Sequence, residues 1–74
     1  MVQPGIYEHY KGGRYRVHFV AKLEENLEPM VVYEALYPNP EGPYFVRPLK
    51  VFVEEIETNG QKQPRYRYLT EEKI

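Results

Sequence analysis

Apolar and polar residues alternate at the start of the chain and predict two paired strands. Ile6 to Tyr10 is the first extended run, and Arg14 to about Leu23 is the second. Gly12-Gly13 lies between them, and two glycines can supply the positive φ angles of a two-residue hairpin turn. In that register Tyr10 faces Tyr15, Glu8 faces Val17 and Ile6 faces Phe19. This set is mainly apolar and reads as core. The other face pairs Lys11 with Arg14, His9 with Arg16 and Tyr7 with His18, and reads as solvent-facing. A one-residue slip would mix the two sets, so the partition supports the register. Glu8 is its one exception.

Glu24 to Pro29 reads as an acidic loop, ended by a proline that cannot donate to a ladder. Met30 to Tyr37 is the strongest strand, apolar at both parities in the manner of a central strand. Pro38, Pro40 and Pro43 force a loop. Tyr44 to Arg47 is a short strand stopped by Pro48, and Pro48 to Phe52 suits one helical turn, since proline fits a first helical position. Val51 to Thr58 is again extended. Asn59-Gly60 then signals a second hairpin, whose return strand runs from Gln61 to about Leu69. Its register sets Glu57 opposite Lys62 and Glu54 opposite Arg65, pairs contributing about 0.2–1 kcal/mol each.

Five or six short strands and at most one helical turn predict an all-β fold, a small SH3-like partly open barrel. The expected core holds Ile6, Tyr15, Val17, Phe19, Val32, Leu36 and Phe45. The 74 residues make one domain, with a core from about 5 to 69 and a frayed tail over 70–74. A chain of this length buries roughly 60% of the surface it exposes when unfolded. Its core supplies only a few kcal/mol, which leaves little with which to build a closed catalytic site.

Composition narrows the chemistry. Ten Lys and Arg stand against eleven Asp and Glu, so any anionic partner needs a local patch rather than an overall field. No cysteine is present, which excludes disulfides, thiolate metal sites and a cysteine nucleophile. No apolar run approaches the roughly 18 residues of a membrane span. The N-terminal segment lacks the order of a signal peptide, and a cytoplasmic protein without a membrane partner is the expectation. Tyrosine is frequent, at eight residues, and tryptophan is absent.

Four blocks carry a resemblance. G-I-Y-E-H-Y-K-G-G (Gly5 to Gly13), V-V-Y-E-A-L-Y (Val31 to Tyr37), F-V-R-P-L (Phe45 to Leu49) with Phe52, and P-R-Y-R-Y (Pro64 to Tyr68) occur in this order. Together they resemble a small bacterial family, domain of unknown function 1653. The resemblance covers nearly the whole chain and implies a domain that stands alone. It implies no activity, substrate or site. The chain departs from it at Tyr44-Phe45, where the family is expected to place tryptophan before V-R-P, and Phe45 fills a similar volume.

No catalytic constellation is legible. Serine is absent, and Thr58 and Thr70 fall in a turn and a tail. Glu54, Glu55 and Glu57 sit beside a turn and read as solvated or cross-strand partners rather than acid–base pairs. His9 and His18 lack the spacing of a metal site, and the neighbouring arginines would repel a cation. No metal and no cofactor is expected.

The basic face of the first hairpin is the strongest candidate for binding. Tyr7, His9, Lys11, Arg14, Arg16 and His18 are predicted to share it. Three cations meet there in a chain of net charge −1, and Lys11 opposite Arg14 is a like-charge pair that an anion would relieve. Aromatic rings among cations suit RNA or single-stranded DNA. Arg47, before Pro48 in an aromatic setting, is a further candidate for a carboxylate or phosphate. The second reading is a protein or peptide module of the SH3 kind, with a tyrosine-lined groove. The sequence thus predicts a small non-catalytic binding module and does not fix its ligand or its oligomeric state.

Overall fold

A computed structural model describes residues 2–71. Seven strands and one helical turn follow one another as β1 (Gly5–His9), β2 (Arg14–Lys22), β3 (Pro29–Ala35), β4 (Tyr44–Pro48), α1 (Leu49–Phe52), β5 (Glu55–Thr58), β6 (Gln61–Pro64) and β7 (Tyr66–Thr70). Five strands make one antiparallel sheet in the order β4-β3-β2-β1-β7, and β5 and β6 form a separate hairpin. The edge strands β4 and β7 do not pair, so the all-β domain is curled without being a closed barrel. Thr70 pairs with Ile6, so the frayed tail expected from residue 70 does not begin there. Its last part, 72–74, lies outside the described residues.

The first hairpin corrects the sequence-based register. Tyr7 faces Tyr15 and Glu8 faces Arg14, whereas the Gly-Gly turn would set Tyr7 against His18. The shift is three positions, an odd number, so β1 presents its other parity to the core. The turn is longer than two residues. His9 N–H donates to Gly13 O and Gly12 N–H donates to His9 O, each at 2.7 Å. Tyr10, Lys11 and Gly12 form the loop, with Gly12 at φ 116° supplying the conformation that a side chain resists. Burial of the Tyr7 ring accompanies this register. The ring is 7% exposed, and the Tyr7 hydroxyl donates to Gln3 O at 2.8 Å.

An irregularity between Val17 and Phe19 then turns Phe19 outward. Phe19 is 58% exposed, and Leu36 is also exposed, so neither is a core residue. The core is Tyr7, Val17, Val31, Tyr33, Phe52 and Tyr66, with Tyr15, Val20, Phe45 and Leu49 packed against it. Ile6 and Val32 are half-buried.

The remaining elements follow their sequence signals more closely. Pro48, at φ −55° and ψ 138°, stops β4 and caps α1. That single turn drives Phe52 under the sheet, 1% exposed. There its ring stacks on Tyr66 with centroids 4.1 Å apart and an interplanar angle of 4°. Asn59 (φ 51°) and Gly60 (φ 76°) both adopt positive φ, the requirement of a tight hairpin turn. Glu57 faces Lys62, and Arg65 joins Glu54 at 3.0 Å. The return strand is broken at Arg65 into β6 and β7. Arg65 N–H donates to Glu54 O while its carbonyl accepts from Tyr10 N–H, both at 3.0 Å. One residue thereby links the hairpin to the five-stranded sheet.

Candidate functional site

The inner face of the sheet ends in a mouth rich in tyrosine. Strand alternation aims Tyr15 (β2), Tyr33 (β3), Phe45 and Arg47 (β4), and Tyr66 (β7) to the same side. His9 ends β1 beside them, and Tyr37 and Asn39 come from the proline-rich loop after β3. These eight residues line a pocket of about 250 Å³. A wider, shallower groove of about 670 Å³ adjoins it, lined by His9, Lys11, Gly12, Gly13, Arg14, Tyr15, Leu36 and Tyr37. The two share His9, Tyr15 and Tyr37.

Ring contacts fix the walls. Tyr15 packs edge-on against Tyr33, Tyr37 and Tyr66 at 5.4, 5.6 and 5.6 Å. The Tyr15 and Tyr37 hydroxyls are 2.7 Å apart, and the Tyr66 hydroxyl donates toward that of Tyr33 at 3.5 Å. Gly13 lies against the first pair; a Cβ there would come within 3.0 Å of the Tyr37 ring and 3.4 Å of Tyr15. Burial, followed by the Tyr37 hydroxyl, pushes the Tyr15 phenol up to about 12. Burial and the Tyr33 hydroxyl raise that of Tyr66. Both rings are therefore neutral at ordinary pH.

The charge in the mouth is positive. The Arg47 guanidinium lies 5.9 Å from the centroid of the Tyr66 ring. Among the described residues its side chain has neither an ion-pair nor a hydrogen-bond partner. Among the described residues no carboxylate lines either the pocket or the groove. Burial lowers the pKa of His9, and Arg47, Arg65 and Lys11 lower it further. Its Nδ1 accepts the Lys11 backbone N–H at 3.1 Å, so the neutral ring carries its proton on Nε2.

The seven residues singled out from sequence are divided by this geometry. Tyr7 is in the core. His9 and Arg47 meet in the pocket, and Lys11 and Arg14 line the adjoining groove. Lys11 also lies 5.7 Å from the Tyr10 ring centroid. Arg16 is on the outer face, where Glu34 pairs with both it and His18, at 3.0 and 2.9 Å. The shared face predicted for the hairpin is thus replaced by a mouth and a neutralised outer surface. Tyr33, Tyr37, Asn39, Phe45 and Tyr66 were not singled out for the site. Four of them lie within the blocks V-V-Y-E-A-L-Y, F-V-R-P-L and P-R-Y-R-Y, and the convergence of those blocks was the available signal.

Among the described residues no three His, Asp or Glu converge as a metal cluster, and no helix is long and apolar enough to cross a membrane. A family model described as a protein of unknown function, DUF1653, matches residues 5–68. The chain is also similar to the crystal structure of a protein of that family from Bordetella bronchiseptica. The two share 34% identity and a TM-score of 0.90, over 99% of this chain and 94% of that one. No curated protein matches.

Proposed function

The chain belongs to DUF1653, a family of proteins of unknown function, and from its own surface we propose that it is a non-catalytic cytoplasmic module that binds RNA or single-stranded DNA at the tyrosine mouth. One observation carries this reading. Pocket and groove are lined by Arg47, Lys11, Arg14 and His9 and, among the described residues, by no carboxylate, in a chain of net charge −1. Cations beside the exposed ring of Tyr37 and the half-buried ring of Tyr15 suit a ligand that alternates phosphates with flat bases. Tyr15 and Tyr66, whose phenols are raised by burial, offer surface rather than a nucleophile.

The test is a titration of labelled single-stranded oligonucleotides at two salt concentrations, with amide-shift mapping. Affinity is expected to fall with salt at a log–log slope of about −0.7 per phosphate engaged, so roughly −2 for Arg47, Lys11 and Arg14 together. Shifts are expected at Gly13, Tyr15, Leu36, Tyr37 and Arg47. Absence of binding at low salt, or shifts confined to the acidic Glu24 to Pro29 loop, overturns the reading in favour of a peptide partner.

A further inference from the structure

Pocket and groove offer different chemistry to one ligand, and the inference below rests on the nucleic-acid reading. In the pocket the Tyr15 and Tyr37 hydroxyls are taken up by each other, and the Tyr66 hydroxyl is turned to Tyr33. Asn39 Oδ1 accepts the Glu41 backbone N–H at 2.9 Å, which leaves its amide NH₂ as a donor. Arg47, which among the described residues has no ion-pair or hydrogen-bond partner, and the Nε2–H of His9 add further donors, beside tyrosine hydroxyls that can donate or accept. The groove contrasts with this. Leu36, Tyr37, Tyr15 and two glycines make it smooth and largely apolar, with Lys11 and Arg14 at its rim.

We infer that the pocket seats one phosphate of the bound strand on Arg47, with Asn39 and His9 as further donors, while the adjoining groove takes the base against Tyr37 and Leu36. A guanidinium grips an oxyanion through two parallel N–H bonds, which a lysine cannot reproduce. Lys11 and Arg14 then meet the neighbouring phosphate.

This arrangement makes phosphate binding proton-linked through His9. The groups facing His9 are Tyr10 and Lys11 from its own turn, Arg14 and Tyr15 from β2, Tyr37 from the loop after β3, Arg47 from β4, Arg65 just before β7 and Tyr66 at its start. Arg65 is partly neutralised by Glu54, and Glu8, next to His9, is paired with Arg67 at 2.6 Å. A phosphate on Arg47 offsets a cation that now disfavours the imidazolium. The pKa of His9 therefore rises on binding, and binding tightens as pH falls.

The experiment follows the His9 ring resonances through a pH titration of the intact chain, free and with uridine 5′-monophosphate, uridine or inorganic phosphate. The monophosphate and phosphate are expected to raise the His9 pKa, and uridine to leave it unmoved. Uridine and the monophosphate are expected to shift Leu36 and Tyr37, and phosphate alone to leave them unmoved. The monophosphate is expected to bind several-fold tighter in mild acid than above neutrality. Arg47→Lys is expected to weaken it about tenfold, and Arg47→Met to abolish the His9 response. An oligonucleotide that binds without moving His9, or a His9 shift produced by uridine, overturns the subsite assignment and leaves the nucleic-acid reading standing. Failure of oligonucleotides to bind overturns that reading itself, whatever His9 does with phosphate.

Discussion

The two faces of the five-stranded sheet carry similar residues in opposite electrical states. On the outer face Arg16 and His18 converge on Glu34, and the His18 hydrogen bond, reinforced by that of Arg16, lowers the pKa of the Glu34 carboxyl. On the inner face Arg47 and His9 converge on tyrosines and, among the described residues, meet no acid. A cation count cannot tell the two apart. What separates them is the destination of each charge: the outer set satisfies itself, and the inner set is left for something else to satisfy. The outer face also exposes Phe19, Tyr44 and Val46, so apolar exposure does not single out the mouth either.

The comparison is most sharply tested at its foundation. Phe52 holds Tyr66, and through it the floor of the mouth, by the stacked contact at 4.1 Å. Phe52→Ala is expected to cost about 3–5 kcal/mol, enough to unfold much of a small domain, measured by urea denaturation. A variant that stays folded and keeps the pocket would show that the floor has another support.

Next come the arginines. Arg47→Met is expected to weaken oligonucleotide binding by about 1.5–3 kcal/mol with little change in melting temperature. Arg16→Met, on the outer face, is expected to leave affinity unchanged and to lower stability by about 1 kcal/mol or less. Equal losses of affinity in the two variants would erase the distinction between the faces.

A pH series separates them again. The folded-state pKa of His9 lies below its unfolded value of 6.5, so the unfolded chain binds more protons across that interval. Stability is expected to decline as pH falls through 6.5 and to level off below the folded value. His9→Gln should flatten this part of the curve. Glu34 acts in a lower window: its contribution is full above 4.5 and is lost as pH falls through its depressed folded value. Calorimetry across both windows checks the order. The smallest expected effect belongs to Phe19→Ala. At 58% exposed, it should change stability by about 0.5 kcal/mol or less, despite deleting a ring.

Particular residues show what was legible in the chain. Asn59-Gly60 demanded positive φ at two successive positions, and few arrangements satisfy that, so the second hairpin and its Glu57–Lys62 register were readable. Gly12-Gly13 offered the same freedom without the same demand. Only Gly12 uses a positive φ, and the loop takes in Tyr10 and Lys11. The competing term was the burial of Tyr7, a tertiary effect that alternation within one hairpin cannot weigh. The bulge before Phe19 was equally invisible, because no glycine or proline marks it. Arg47 was legible as an arginine in an aromatic setting. Tyr33, Tyr37, Asn39 and Tyr66 were not, since they reach the mouth from strands and loops far from Arg47 in sequence.

Arg65 sets where local opening of the molecule must stop. The four residues of β6 are exposed, so the β5–β6 hairpin has little buried surface of its own to resist opening. Its amides should exchange with solvent through small openings that leave the main sheet closed. Fraying that starts at Gly60 meets Arg65, whose N–H is held by Glu54 and whose carbonyl is held by Tyr10. Beyond that point an opening must also release the turn that carries His9. Hydrogen exchange should therefore show a step between Gln63 and Tyr66, the boundary between a dispensable flap and the cooperative unit that holds the mouth.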